Sequence, residues 1–365
     1  MLEEKQNKMR KILIFLFLVL IGAESASGCW KNWEIKRDKI VSSALKGNKL
    51  NDPETRDLVI FLPPGYKNLP RQNLDSSLTL GNKTSKKYYP TIYFLHGFEE
   101  NQETYLKILG EKNVINFLGW LSFLGDLKET IIVIPDASNK YKGSWYTNSD
   151  VGDYEDYLKE VIEFIDKNYR TIPREECRSI FGFSMGGYGA LMLSMKTELF
   201  SKVAALSAPL DFQVIRETIA LRVIGENPGK IKEPQGADTF TRIIYAMSTV
   251  FSSNETPPYF CDFYFEYPTG EIKKDVWDKW EEKNPANLIE KYKSRLNKLK
   301  IYIDNAVNDE LGLFPAVESF HQKLLELGIV HQYKVFKSPH GREGENISQQ
   351  VLKRFVEAIK FLSKE

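Results

Sequence analysis

The segment Gly182-Phe183-Ser184-Met185-Gly186 sets a serine between two glycines. This spacing yields a nucleophile when a strand runs into it and a helix leaves it, because a sharp turn then presents the hydroxyl and small neighbours relieve crowding. Ile180-Phe181 before it and Tyr188-Gly-Ala-Leu191 after it supply that context, which weighs against a purely structural turn. A serine hydroxyl is a weak nucleophile and needs a base. The chain offers four histidines, His96, His321, His331 and His340. Around a strand–serine–helix turn the chain order is serine, acid, histidine. His96 comes too early, while His321 falls mid-helix and His331 enters a strand, both positions that suit packing. His340, in Ser338-Pro-His-Gly341 just past the last strand, is the candidate base. Asp304 and Asp309 compete as its acid, with Glu310 third. Asp304 ends a strand and suits holding a loop through backbone N–H groups. Asp309, further into the turn, has the freedom to reach an imidazole and is favoured.

Acyl transfer also needs two donors for a developing oxyanion. The backbone N–H of Met185 is one candidate. The N–H of Phe98, in His96-Gly97-Phe98 after Leu95, is the other, with His96 holding the turn. The chemistry needs no cofactor, and no Cys-x-x-Cys or His-x-x-x-His spacing suggests a metal.

These residues require a rigid frame. Asp57-Leu-Val-Ile-Phe-Leu62, Pro90-Thr-Ile-Tyr-Phe-Leu95 and Thr130-Ile-Ile-Val-Ile134 read as strands, and the last two are apolar throughout. Such runs fit a parallel sheet covered on both faces. Tyr154, Tyr157, Leu158, Val161, Ile162 and Ile165 recur at helical spacing, with Gly152 or Asp153 as cap. Further strands are expected at 178–181, 203–206, 300–303 and 332–336, and helices at 188–195, 314–327 and 351–362. The alternation predicts an α/β, doubly wound, mostly parallel sheet. Residues 212–283, rich in proline and aromatics, break the rhythm and are expected to form a lid-like insertion near the site. Its aromatics serve equally well as packing.

At 365 residues the chain can bury a large core, and 50 basic against 49 acidic residues leave a formal net charge of +1. That balance gives no reason to propose a nucleic-acid partner. Lys5, Lys8, Arg10 and Lys11 precede an uncharged apolar run over 12–23 and then Ser25-Ala-Ser-Gly28. The order basic, apolar, small reads as a signal peptide over 1–28, hence an exported protein, periplasmic, extracellular or envelope-anchored. Cys29 follows Gly28 as in a lipoprotein site, where acylation would attach the chain to a membrane; plain cleavage is the alternative. Cys177 and Cys261 are then left, and sequence does not say whether they pair. Residues 29–55 are set apart as an N-terminal segment before a main domain over 56–365.

From about Arg56 onward the chain resembles the esterase family of α/β-hydrolases that includes S-formylglutathione hydrolases (esterase D), feruloyl and acetyl-xylan esterases, and mycolyltransferases. The resemblance rests on Leu62-Pro-Pro-Gly-Tyr66, Tyr93-Phe-Leu-His-Gly97, Gly143-Ser-Trp-Tyr146, Gly182-Phe-Ser-Met-Gly-Gly-Tyr-Gly-Ala190, Leu206-Ser207, Asn308-Asp309 and Pro339-His340-Gly341. It implies an α/β-hydrolase fold, a serine esterase with Ser184, His340 and Asp309 as its triad, and Trp145 and Tyr146 at the acyl pocket, where core packing would explain them equally well. The expected substrate is an extracytoplasmic ester linked to a polysaccharide, a lipid or a small molecule. Acyl transfer to a sugar through the same triad, and a non-catalytic envelope binder, are the alternatives.

Overall fold

The computed structural model describes residues 33–66, 87–343 and 346–364. The signal-peptide reading and Cys29 lie outside these residues. Eight strands form one sheet: β1 (Glu34–Val41), β2 (Thr55–Leu62), β3 (Thr91–Leu95), β4 (Ile131–Pro135), and, after a two-residue pair β5 (Asn148–Ser149) and β6 (Gly152–Asp153), β7 (Arg178–Phe183), β8 (Lys202–Leu206), β9 (Lys300–Asn308) and β10 (Gln332–Pro339). Their order is β1-β2-β4-β3-β7-β8-β9-β10. β2 pairs antiparallel with both β1 and β4, and every pairing beyond β4 is parallel. A short pair, β11 (Arg342–Glu343) and β12 (Asn346–Ile347), follows β10.

The parallel strands are apolar because helices cover both faces. Every residue of β3 and of β4 is buried. One face packs α3 (Tyr154–Asn168) and α4 (Met185–Lys196). The other packs α2 (Glu111–Phe123), which follows α1 (Thr104–Leu109), and the C-terminal helix α9 (Gln349–Ser363). All six residues of the stripe read from sequence on α3 are buried. Its N-cap is Asp153, but that side chain does not cap it. Asn148 of β5 does so instead, its Oδ1 accepting from the amides of Glu155 at 2.9 Å and Asp156 at 3.1 Å.

Two features of the fold were not spelled out by the sequence reading. β1 belongs to the sheet although it lies upstream of the boundary placed at residue 56. Its burial pattern mixes exposed and half-buried residues, as an edge strand allows, so no apolar run marks it. Residues 212–283 carry three helices joined by irregular segments, α5 (Arg216–Glu226), α6 (Thr239–Phe251) and α7 (Lys274–Glu281). Within them Tyr264 packs edge-on against Trp277 and Trp280 at 5.0 and 4.7 Å, while Tyr245 packs against Tyr259 and Phe263 at 5.1 and 4.9 Å. Much of the aromatic cluster is therefore the insertion's own core. The helix α8 (Phe314–Glu326) lies between β9 and β10.

Candidate active site

The register aligns the carboxyl ends of the parallel strands: Leu95 stands opposite Gly182, Phe183 opposite Leu206, and Leu206 opposite Asp304. Ligand sites in open α/β sheets gather along such an edge. Here it carries His96-Gly97-Phe98 after β3, Ser184 after β7, Asp309 after β9 and His340 after β10.

Ser184 joins β7 to α4 with φ +54° and ψ −118°, a conformation that costs an L-residue on the order of 1–3 kcal/mol. Its amide donates to the Leu206 carbonyl at 2.8 Å, and its carbonyl accepts the Tyr188 amide at 3.1 Å. The turn is tight enough to exclude side chains on both flanks. A Cβ on Gly182 would lie 2.1 Å from the Gly186 carbonyl carbon, and one on Gly186 would lie 2.0 Å from the Leu95 oxygen. The start of α4 thus abuts the end of β3, which sets the Met185 amide beside the loop that carries Phe98.

That loop is held from several sides. Glu100, itself buried, accepts the Gly97 amide at 2.8 Å, and the Glu99 amide donates to the Lys142 carbonyl at 3.0 Å. The Phe98 amide between them takes no part in these bonds. Tyr146 donates its hydroxyl to the His96 carbonyl at 2.8 Å. His96 Nδ1 lies 2.9 Å from the Gly97 carbonyl, and its Nε2 accepts the Ala137 amide at 3.1 Å. A ring nitrogen that accepts from an amide carries no proton, so the imidazole is neutral. Burial holds its pKa below the usual histidine range, against the pull of Asp136. His96 is a turn former, as its place before Ser184 suggested.

His340 Nδ1 lies 2.7 Å from Asp309 Oδ2, with both side chains buried. Asp309 Oδ1 accepts the Leu311 amide at 2.9 Å, which steadies the carboxylate. Glu310 accepts the His340 amide at 2.8 Å. The Phe183 ring, one residue before the serine, sits 5.0 Å from the imidazole. Among the described residues no hydrogen bond joins Ser184 Oγ to His340; such bonds often tighten only when substrate binds. Asp304, the rival acid, is engaged elsewhere. It accepts both Nε and Nη2 of Arg354 at 3.0 and 2.7 Å, and the Ser207 amide at 3.1 Å.

Trp145 and Tyr146 are buried at positive φ, +51° and +50°. Trp145 packs on Tyr188 and on Phe251 of α6, each at 5.7 Å. Tyr146 packs against Gly189, where a Cβ would come within 2.5 Å of its ring. Both side chains are thus built into the core, and Tyr146 reaches the site through its hydroxyl. The wall nearest the candidate donors is formed by the Phe98 ring, Met185 Sδ and Ala246 Cβ of α6, all of which converge on Gly143. Arg242 of α6 also bonds Glu99, at 2.5 and 3.3 Å. The insertion therefore touches the loop at Glu99, the residue after Phe98.

Arg354, on α9, was missed in the sequence. The signal was present: residues 351, 354, 355, 358, 359 and 362 share one helical face, and an arginine on an apolar stripe must have buried partners. His321 and His331 pair with one another at 2.7 Å, away from the serine's strand end. Cys177 and Cys261 are free, and burial pushes the Cys261 thiol up to about 12. A cavity of about 720 Å³ between residues 44–48, the β5–β6 turn and α7 contains none of Ser184, Asp309 and His340. Among the described residues no group of three or more His, Cys, Asp or Glu could hold a metal, and no helix is long and apolar enough to cross a membrane.

A mostly parallel eight-stranded sheet with a strand–serine–helix elbow at its carboxyl edge defines an α/β-hydrolase. The chain belongs to the Esterase family, whose model matches residues 59–346. It is 33% identical over 120 residues to an esterase of Mycobacterium tuberculosis (strain ATCC 25618 / H37Rv), covering 31% of this chain and 24% of that one. It is 26% identical over 181 residues to an endo-1,4-beta-xylanase/feruloyl esterase of Xylanibacter ruminicola, covering 48% and 23%. The chain thus spans about a quarter of the length of these curated relatives. Among solved structures, a ferulic acid esterase matches with a TM-score of 0.59 at 18% identity, over 91% of this chain and 98% of that one. An S-formylglutathione hydrolase from Staphylococcus aureus matches at 0.55 and 17% identity, over 90% and 99%. At these identities the structural likeness speaks for the fold.

Proposed function

We propose that the protein hydrolyses a carboxylic ester through an acyl-Ser184 intermediate. The observation that carries this reading is the buried Asp309–His340 hydrogen bond at the same strand-end edge as a serine held at positive φ in a glycine-lined elbow. Asp309 accepts a hydrogen bond from Nδ1–H and so leaves Nε2 of His340 free to take a proton. Ser184 Oγ attacks the ester carbonyl carbon as its proton passes to Nε2. The amides of Phe98 and Met185 bind the oxyanion. When the carbon–oxygen bond to the alcohol breaks, the imidazolium returns the proton to the leaving oxygen. Water then repeats the sequence on the acyl-enzyme, releasing the acid and restoring the Ser184 hydroxyl.

We also propose that the substrate is extracytoplasmic, an ester carried by a polysaccharide, a lipid or a small molecule. The basic, apolar and small-residue order of residues 5–28 supports export, and Cys29 is the candidate for lipid attachment. The feruloyl-esterase name of one relative favours polysaccharide-linked esters among the three. Turnover of p-nitrophenyl acetate by the wild type and by Ser184→Ala tests the mechanism. The variant should lose about a millionfold in kcat, by the scale of other serine hydrolases. Undiminished turnover in the variant would overturn it.

A further inference from the structure

The sheet edge holds a second buried charge pair that the proposed reaction does not use. Arg354 and Asp304 are both fully buried. Replacing such a pair by apolar residues is commonly neutral or stabilising, so stability alone gives little reason for an arginine on the apolar face of α9. Its contacts supply another reason. Nε and Nη2 grip Asp304 of β9, and Nη2 also donates to the Ser207 hydroxyl just past β8. Nη1 donates to the His340 carbonyl at 2.9 Å, to the Pro339 carbonyl at 3.3 Å and to Ser338 Oγ at 3.4 Å. Every nitrogen of the guanidinium is engaged.

These contacts fall where the sheet itself gives little support. The β9–β10 pairing slips in register between Phe336 and Pro339, so the ladder does not set the height of His340. The guanidinium plane ties that segment to the ends of β8 and β9 instead. Leu206, at the end of β8, in turn accepts the Ser184 amide. The same guanidinium lies 5.5 Å from the Phe183 ring, whose centre is 5.0 Å from the imidazole. One planar group therefore links the base's backbone to the strand end that fixes the serine.

We infer that Arg354, neutralised by Asp304, is a positioning residue that sets His340 against Ser184. The charge balance matters as much as the geometry. Among the described residues, the charged groups around His340 are Asp309 and Glu310 from the turn after β9, Asp304 from β9 and Arg354 from α9. An unpaired Arg354 cation would oppose the imidazolium on which both proton transfers depend. With Asp304 beside it, the pair contributes geometry without that opposition.

This inference rests on the Ser184–His340–Asp309 reading. Its test is kcat, KM and the pH profile for p-nitrophenyl acetate in the full chain, with thermal melts alongside. Arg354→Lys keeps the charge but lacks the planar fork, so kcat should fall by at least about tenfold with KM nearly unchanged and the acid limb of kcat/KM in place. Asp304→Asn leaves the cation unpaired, so the acid limb should move to lower pH. Asp304→Asn/Arg354→Met removes both charges, so the limb should return toward the wild-type position while kcat stays low. Wild-type kcat in a folded Arg354→Lys or in the double variant overturns the positioning role, as does an acid limb in Asp304→Asn that stays put or moves up. If Asp304→Asn fails to fold, the other two variants decide. An active Ser184→Ala would sink the underlying triad reading, whereas an inactive Ser184→Ala beside fully active Arg354 variants would sink only this inference.

Discussion

Asp304 and Asp309 are five positions apart and chemically identical, yet they meet different partners. Asp309 faces an imidazole and Asp304 a guanidinium. Asp309→Asn should therefore lower kcat by about ten-thousandfold through the wrong tautomer of His340, with little change in melting temperature. Asp304→Asn should instead cost about 3–5 kcal/mol in urea unfolding, because it strands a buried cation. The reverse pattern would exchange their roles. His96 makes a further prediction at this scale. Its folded-state pKa lies below that of the unfolded chain, about 6.5, so on acidification the unfolded state takes up a proton that the folded state refuses. This contribution to stability is present above that pH and is lost as the pH falls below it. Urea midpoints at about pH 7 and pH 5 should differ less in His96→Gln than in the wild type.

Among the elements, the elbow depends on absent side chains. Gly186→Ala drives a Cβ into the Leu95 carbonyl, a backbone atom that cannot swing away. The variant should lose about 3 kcal/mol or more of stability and most of its esterase activity, read by melting and by turnover. The contact between the insertion and the Phe98 loop should be gentler. Arg242 and Glu99 are each about a third exposed, so their pair is worth at most about 1 kcal/mol. Arg242→Ala should lower kcat/KM by no more than about fivefold. A loss of several hundredfold would mean that α6 builds the site rather than leaning on it.

Considered as a whole molecule, one sheet positions everything from the Phe98 loop to His340, and helices close both of its faces. The proposed export is tested outside that frame, by mass spectrometry of the protein purified from its host. An N-terminus at Cys29 carrying a lipid mass supports envelope attachment, whereas an unmodified end near that position supports release. An intact Met1 would overturn both. How much of this was legible beforehand varied with the range of the interactions. The serine elbow, the buried strands and the stripe of α3 were plain, because each is a local pattern of residue types that one face or one turn imposes. β1 was not, because an edge strand need not be apolar. The helices of the insertion were obscured by prolines that fall between them.

The sequence by itself determined the order serine, acid, histidine along the chain and the glycines that make the elbow, since steric crowding and chain order act over a few residues. Only the tertiary structure decided which aspartate meets His340. That choice depends on a slipped strand pairing and on an arginine 50 residues beyond Asp304. It likewise placed Trp145 and Tyr146 in the core, because burial is a property of what packs around a side chain. Ser184, the residue most evident in the sequence, takes its setting from partners that only folding brings to it.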